Sequence, residues 1–432
     1  MKTNKFFILS CISSLLMLFT ACSSNGPNGP IVDSDEYAYL QKKSAKRGVS
    51  FSWQLDADFD ALGSAVSWSY NWANTYASSQ SGKYNQYGIT YMPMCWNANY
   101  NSTSIKDYFD SQSGDKYLLG FNEPNLVGQA NMTPTQAAGY WPDVVSLAQQ
   151  SGANLISPAL NWGTLSGYSD GVKWLDDFFE KVDINQIHGI GVHIYMGSAR
   201  TMLSDLQRYK KFGKPLWLTE FCGWDGISSS AGQCTFMTQS INALEQDNQV
   251  ERYAWFIPKW NTSTEASPYQ QLITKSNPCT LTERGFIFVN MSTFDKSVEY
   301  PCGKRIPAEH YYACSVSDTY SSVDVIKSTD VDGILQLEGF STSQSVDYQI
   351  ALNSSATKFQ LRYTATRESA LDVLIVDGNG AETLLTTVDC PTTGDKAAWA
   401  TIESPIKVDG GTKIVRLRPS KGLLRINWFK IK

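Results

Sequence analysis

Leu118-Leu119-Gly120-Phe121-Asn122-Glu123-Pro124-Asn125 is an apolar run that ends in an Asn-Glu pair. Pro124 then stops the strand, because its nitrogen has no proton to give to a neighbouring strand. The run is continuous rather than alternating, as expected of a parallel strand covered on both faces. Its carboxylate therefore falls at the mouth of a buried sheet. Leu216-Trp217-Leu218-Thr219-Glu220-Phe221 repeats the arrangement about a hundred residues on.

Working outward from these two runs, strand-like segments cover 48–53, 66–72, 89–96, 117–122, 154–160, 189–195, 216–221 and 252–257. Amphipathic segments lie between them. Thr133-Pro134 offers an N-cap with proline at the first helical position, opening a helix to about Gln150 that carries Pro142. Trp174, Leu175, Phe178, Phe179 and Val182 recur at helical spacing, as do Leu203, Leu206 and Tyr209 before Gly213. A last helix is expected over 281–289. Strand–helix units at this period, over about 250 residues, predict an α/β fold of the (β/α)₈ TIM-barrel type; an open doubly wound sheet is the rival. After about Gly303 the texture changes to short alternating runs separated by turns such as Asp377-Gly378-Asn379-Gly380, which predicts an antiparallel, jelly-roll-like β-sandwich. The expected domains are a signal peptide over 1–21, a tether over 22–45, the barrel over 46–303 and the sandwich over 304–432.

In such a barrel the chemistry sits at the carboxyl ends of the strands. Two carboxyls there, one protonated and one ionised, are what cleavage of a glycosidic bond requires. Glu123 is the expected acid/base and Glu220 the expected nucleophile, with their carboxyls about 5–5.5 Å apart if the anomeric configuration is retained. His193, two residues before Tyr195 at the end of the sixth strand, points to the same face and is expected either to touch substrate or to sit in the core. Aromatics make up 12% of the 432 residues, with 13 Trp, and flat apolar rings suit the C–H faces of sugars. Trp53, Tyr70, Trp72, Trp96, Trp162, Trp224 and Trp260 stand near strand ends as candidate platforms. Gly167-Tyr168-Ser169-Asp170-Gly171 matches the G-x-S-x-G pattern, but the preceding strand ends too early for a nucleophile elbow.

The net charge of −5 comes with no basic stripe, which argues against nucleic acid and for a neutral ligand. Three histidines give little support to metal hydrolysis, and no catalytic cofactor is expected. Lys2 and Lys5 precede an apolar stretch over 6–19, too short for a confident membrane span. Thr20-Ala21-Cys22-Ser23 then resembles the lipobox of bacterial lipoproteins. That resemblance implies lipidation at Cys22 and anchoring at the bacterial cell envelope, on the periplasmic or extracellular face of the outer membrane; a monomer is expected. Of the seven cysteines beyond Cys22, Cys222 with Cys234 and Cys302 with Cys314 are plausible pairs, and the odd count leaves at least one free thiol.

Gly-Phe-Asn-Glu-Pro followed far downstream by Leu-Thr-Glu-Phe resembles clan A of the glycoside hydrolases. Within it, residues 119–125, 217–221 and Tyr253-Ala254-Trp255-Phe256 are similar to glycoside hydrolase family 128, whose members cleave β-1,3-glucans. The resemblance implies a retaining endo-β-1,3-glucanase. Asn122 would bond the sugar 2-hydroxyl, Tyr195 would donate to Glu220, and Trp255 would floor the subsite beside the cleaved bond. Asn125 departs from the Asp often found there. The rivals are a retaining glycosidase on another β-glucan or β-mannan, and a non-catalytic glycan-binding surface lipoprotein. The C-terminal part resembles carbohydrate-binding module family 6 through Ile306-Pro307-Ala308-Glu309-His310-Tyr311 and Ile426-Asn427-Trp428-Phe429. That implies a structural calcium with Glu309 as a ligand, and Trp399 with Tyr363 as the sugar-gripping pair. Arg425 stands where that family commonly has a ligand-binding Asn.

Overall fold

The computed structural model describes residues 36–38, 40–260, 269–331 and 333–432. The expected signal segment, Cys22 and most of the tether lie outside the described residues. Eight short strands alternate with eight helices in the first part of the chain. The strands are β1 (Arg47–Ser50), β2 (Trp68–Tyr70), β3 (Thr90–Tyr91), β4 (Tyr117–Leu118), β5 (Asn154–Leu155), β6 (Ile190–Met196), β7 (Leu216–Gly223) and β8 (Val250–Trp255). The helices are α1 (Asp56–Leu62), α2 (Ser81–Tyr87), α3 (Ser102–Asp110), α4 (Pro134–Ser151), α5 (Gly171–Phe179), α6 (Ala199–Arg208), α7 (Ser230–Gln246) and α8 (Glu283–Asn290).

Six of these strands form one parallel sheet in the order β3-β2-β1-β8-β7-β6, and β4 pairs with β5 in a separate two-stranded piece. The expectation of eight continuous strands is corrected to six and two. Prolines supply the reason. Pro93 and Pro158 sit where the ladders would continue and have no N–H to donate. What remains are isolated parallel bridges, Met94 with Leu119 and Ile156 with Gly189. Backbone hydrogen bonds span both junctions: Cys95 N to Leu119 O and Leu119 N to Pro93 O at 2.9 Å each, and Ser157 N to Gly189 O at 2.9 Å with His188 N to Leu155 O at 2.8 Å.

Local signals place the helices. Thr133 accepts from Gln136 N and Gln136 reaches back to the Thr133 backbone, a complete capping box, with Pro134 in the first turn. Gly152 ends α4 at φ +64°, a conformation that favours glycine. In the G-x-S-x-G stretch, Asp170 is the N-cap of α5 and accepts from Val172 N at 3.0 Å, so that motif is a helix start. The chain enters at the amino end of the strands. There Lys46 Nζ donates to the Glu245 and Asp247 carbonyls at 2.9 Å each, just before β8.

The C-terminal part is β-rich. Its strands are β9 (Tyr300–Pro301), β10 (Ile306–Pro307), β11 (Ala313–Cys314), β12 (Asp324–Lys327), β13 (Leu335–Ser341), β14 (Val346–Leu352), β15 (Lys358–Thr364), β16 (Ser369–Val376), β17 (Glu382–Cys390), β18 (Ala400–Pro405), β19 (Gly411–Lys421) and β20 (Leu423–Ile431). They form two sheets. One runs β12-β13-β20-β15-β18 with β10 on β20, the other β11-β14-β19-β16-β17 with β9 on β14. Tyr348 of β14 packs edge-on against Phe429 of β20 at 4.7 Å, joining the two sheets. Helix α7 contacts this domain through polar side chains. Asn242 donates to Val323 O at 2.9 Å and accepts from the Tyr311 hydroxyl at 2.7 Å, both buried.

All seven described cysteines are free. The expected pairs, Cys222 with Cys234 and Cys302 with Cys314, do not form. Gln270 Nε2 donates to Cys222 Sγ at 2.9 Å, Cys302 donates to Ile431 O at 3.1 Å, and Gln246 Nε2 donates to Cys314 Sγ at 3.4 Å.

Candidate active site

β7 carries Glu220 almost wholly buried, at 4% exposure. Its Oε1 accepts from the Tyr70 hydroxyl at 2.6 Å and from Trp72 Nε1 at 2.7 Å. Its Oε2 accepts a short hydrogen bond from the Tyr195 hydroxyl. An indole N–H only donates, so Oε1 is held as an acceptor. Burial pushes the Glu220 carboxyl up, His193 pulls it down, the Glu123 charge pushes up, and the two tyrosines pull down; the balance lies above an ordinary carboxylate. Burial, then Glu220 and Glu123, raise the Tyr195 hydroxyl well above its ordinary value, so Tyr195 remains a donor throughout the working pH range.

Glu123 follows the last bridge of its strand and is 6% exposed. Its φ is +44°, and Trp72 has φ +61°. Non-glycine residues in this left-handed region store local strain, which clusters at functional sites. Glu123 N donates to Ala159 O at 2.9 Å, which fixes the turn. Glu123 Oε1 accepts from Asn161 Nδ2 at 3.0 Å and faces His193 Nδ1 at 2.8 Å. The other ring nitrogen of His193 stands 3.5 Å from Glu220 Oε1, an ion-pair contact too long for a hydrogen bond. Burial disfavours the imidazolium, but the two flanking carboxylates outweigh it and raise the His193 pKa. Ligand-type atoms of Glu123, His193 and Glu220 all lie within 4.8 Å of one another, a donor set able to coordinate a metal.

Above these groups opens a cleft of about 680 Å³, within the usual size for a ligand site. Residues 48–288 match the family described as glycosyl hydrolase catalytic core, and residues 312–432 match carbohydrate binding module family 6. A crystal structure of a family 128, subgroup II endo-beta-1,3-glucanase from Pseudomonas viridiflava is 37% identical, covering 57% of this chain and 98% of that chain, with a TM-score of 0.53. The chain belongs to glycoside hydrolase family 128. A second subgroup II endo-beta-1,3-glucanase, from Sorangium cellulosum, is 33% identical over 56% of this chain and 97% of that one, with a TM-score of 0.51. Alkali-sensitive linkage protein 1 of Schizosaccharomyces pombe is 27% identical over 256 residues, 57% of this chain and 45% of its own. The chain spans less than half the length of the curated relatives it matches. This family 128 member is therefore an enzyme, a glycoside hydrolase with a family 6-like module behind it.

Of the expected residues, the hydrolase brings Asn122, Glu123, Tyr195, Glu220, Trp72, Trp96, Trp162, Trp224 and Trp260 to one cleft. Asn122 Nδ2 donates to Gln129 Oε1 at 3.1 Å, while its Oδ1 is buried and unpaired. Three expectations need correction. Trp255 is fully buried and donates to Gln270 O at 2.8 Å behind the sheet, against Phe221; Phe256 lines the cleft instead. Trp53 is stacked on Phe59 at 4.2 Å and donates to Ser69 Oγ at 3.0 Å, away from the cleft. The His193 side chain, at 0% exposure, is wedged between the glutamates rather than offered to substrate. Asn161 and Gln129 were not foreseen. Their only signal was a place in the loops after the fifth and fourth strands, beside Trp162 and the Asn-Glu pair.

The β-rich domain departs from the family 6 expectations. Glu309 Oε1 accepts from Leu335 N at 3.4 Å and its Oε2 has no partner. Burial pushes its carboxyl up to about 8. Among the described residues no group of three or more His, Cys, Asp or Glu includes Glu309. Asp330, in the same domain, is already held by Arg362 and by Asn427 at 2.7 Å. Calcium takes six to eight oxygens from carboxylates, backbone and amide carbonyls and water, and the unpaired Oε2 of Glu309 is one such donor. Tyr363 is 3% exposed with its hydroxyl on Pro391 O at 3.1 Å, so it cannot pair with Trp399 around a sugar. Arg425 is locked to Glu338 at 2.6 Å.

Proposed function

We propose that this hydrolase is a retaining endo-β-1,3-glucanase acting by double displacement. The observation that carries the reading is that one carboxylate oxygen of Glu123 and one of Glu220 lie within 4.8 Å of each other. Inverting enzymes need about 6.5–9.5 Å between carboxyls to admit a water. Glu220, fed by three donors, attacks the anomeric carbon. Glu123 protonates the leaving oxygen, then takes a proton from the water that releases the glycosyl ester. His193 sits between them as a positioning residue whose positive form offsets their mutual repulsion. The unpaired Asn122 Oδ1 is suited to accept from the sugar 2-hydroxyl. The β-1,3-glucan substrate rests on the likeness to the two subgroup II endo-beta-1,3-glucanases.

The reading includes closure of β1–β8 into a (β/α)₈ barrel across the Met94–Leu119 and Ile156–Gly189 bridges. It also includes a jelly-roll-like sandwich over 304–432, lipidation at Cys22, a monomeric state and display at the bacterial cell envelope. Among the described residues no helix is long and apolar enough to cross a membrane. The test is a reducing-sugar screen on laminarin, curdlan and mannan, with product anomers followed by NMR. β-Anomers from laminarin or curdlan are expected first, and loss of at least a thousandfold of turnover in Glu123→Gln and Glu220→Gln. Cleavage of mannan alone, or α-anomers first, would overturn substrate or mechanism respectively.

A further inference from the structure

The cleft is asymmetric about its two glutamates. Around Glu220 the rings pack on one another: Trp72 with Phe256 at 6.1 Å, Phe256 with Trp260 at 5.7 Å, Tyr195 with Trp224 at 5.3 Å. On the Glu123 side stands Trp162. It is the only one of the 13 tryptophans to be exposed, at 59%, and among the described residues it has no ring partner.

Such exposure would be unremarkable on a loose loop. This loop is built. Asn125, fully buried, donates from Nδ2 to Asn161 O at 2.6 Å and Tyr168 O at 3.3 Å. The Asn125 carbonyl accepts from Thr164 N at 3.0 Å and Leu165 N at 2.9 Å. Trp162 N donates to Asn161 Oδ1 at 2.7 Å, and the same Asn161 side chain donates to Glu123 Oε1 at 3.0 Å. Gly163 has no room for a Cβ against Tyr168 O. One residue thus separates the acid/base from a rigid, uncovered aromatic face.

In a double displacement the sugar beyond the acid/base is the leaving group, and after it departs the same place can take a hydroxyl in its stead. We propose that Trp162 is a platform for an acceptor sugar, and that the enzyme transfers glycosyl groups to a second β-glucan chain in competition with water. The inference rests on the retaining mechanism proposed above. An acceptor hydroxyl attacks the anomeric carbon of the Glu220 ester. The carbon–oxygen bond to Glu220 breaks with its electron pair returning to the carboxylate, and Glu123 takes the hydroxyl proton. A bare indole face stacks on the acceptor ring and lowers the share of intermediates that meet water first.

The experiment gives the full chain an unlabelled β-1,3-linked glucose pentasaccharide and a trisaccharide acceptor carrying a fluorescent tag at its blocked reducing end. Tagged products longer than the acceptor are expected, growing with acceptor concentration. Transfer and hydrolysis divide one intermediate, so their ratio cancels any slowing of the first step. Trp162→Ala is expected to lower that ratio at least tenfold, and Trp162→Phe to restore most of it. A ratio unchanged in Trp162→Ala, or no lengthened tagged product from an enzyme that releases β-anomers first, would overturn the proposal alone. Release of α-anomers first would remove the retaining mechanism and the proposal with it.

Discussion

Replacing Tyr195 with Phe removes one hydroxyl and leaves the ring, which packs against Trp224 and Phe256. Glu220 then keeps two donors, both on Oε1, and Oε2 loses its partner. A hydrogen bond to a charged group is worth about 1.5–3 kcal/mol, and here the carboxylate is 4% exposed, so water does not replace it freely. Donors favour the charged form, so losing one moves the already raised Glu220 pKa further up. At a given acidic pH less of the nucleophile is ionised. The acid limb of kcat/KM against pH is therefore expected to move to higher pH by about one to two units. On the plateau kcat/KM is expected to fall about 10- to 100-fold. The assay is laminarin hydrolysis by reducing sugar across the pH range, with thermal melting to show that the fold survives. A plateau that falls while the limb stays in place would refute the claim that Tyr195 holds the charge of Glu220.

Asn125→Ala leaves the Asn161 and Tyr168 carbonyls without their donor and is expected to cost about 1–3 kcal/mol, read by denaturant unfolding and by faster amide exchange over 161–168. Lys259→Met leaves Asp58, at 0% exposure, without its partner at 2.6 Å; about 3–5 kcal/mol of stability is expected to go, measured in urea. Glu309 ionises near 4.5 when exposed and at about 8 when folded, so between those values the folded state holds a proton that the unfolded chain has released. Stability contributed there is present below pH 4.5 and falls as pH rises, by up to about 1.4 kcal/mol per pH unit, so Glu309→Gln is expected to melt higher than the parent at pH 8 and no higher at pH 4. Melting at pH 7 with calcium or a chelator checks the unpaired Oε2 of Glu309 as a ligand: a rise with calcium that Glu309→Gln abolishes is the expected outcome, and equal melting in both would remove that role.

The two glutamates could be picked out because each follows an apolar run, Leu118 to Phe121 and Leu216 to Leu218, with one polar residue between, and such paired contexts are rare by chance. The capping of α4 was equally plain, since Thr133-Pro134 and Gln136 act within one turn. The face of β8 was not. Ala254 packs in the inner cluster with Trp68 and Trp217, so by the period of two Tyr253 and Trp255 share the opposite face. Trp255 therefore points behind the sheet and Phe256 into the cleft. His193 was ambiguous because burial between two carboxylates is a tertiary fact, invisible along a single strand. The division of the eight strands into six and two came from prolines that stop ladders without stopping the chain's course. In the C-terminal domain a likeness in motif carried the fold, while the substitutions that fill its cleft with ion pairs needed coordinates.

The entry of the chain beside Lys46, at the amino end of the strands, has a bearing on how a long polymer reaches this enzyme. Glu123 and Glu220 open at the other pole. Residues 36–38 lie against Arg305, where Ala38 N donates to Arg305 O at 3.1 Å and Arg305 N to Glu36 O at 2.9 Å. The segment that enters β1 and the two carboxyls thus lie at opposite ends of the strands, and a glucan lying across the mouth meets neither Lys46 nor the carbonyls it holds.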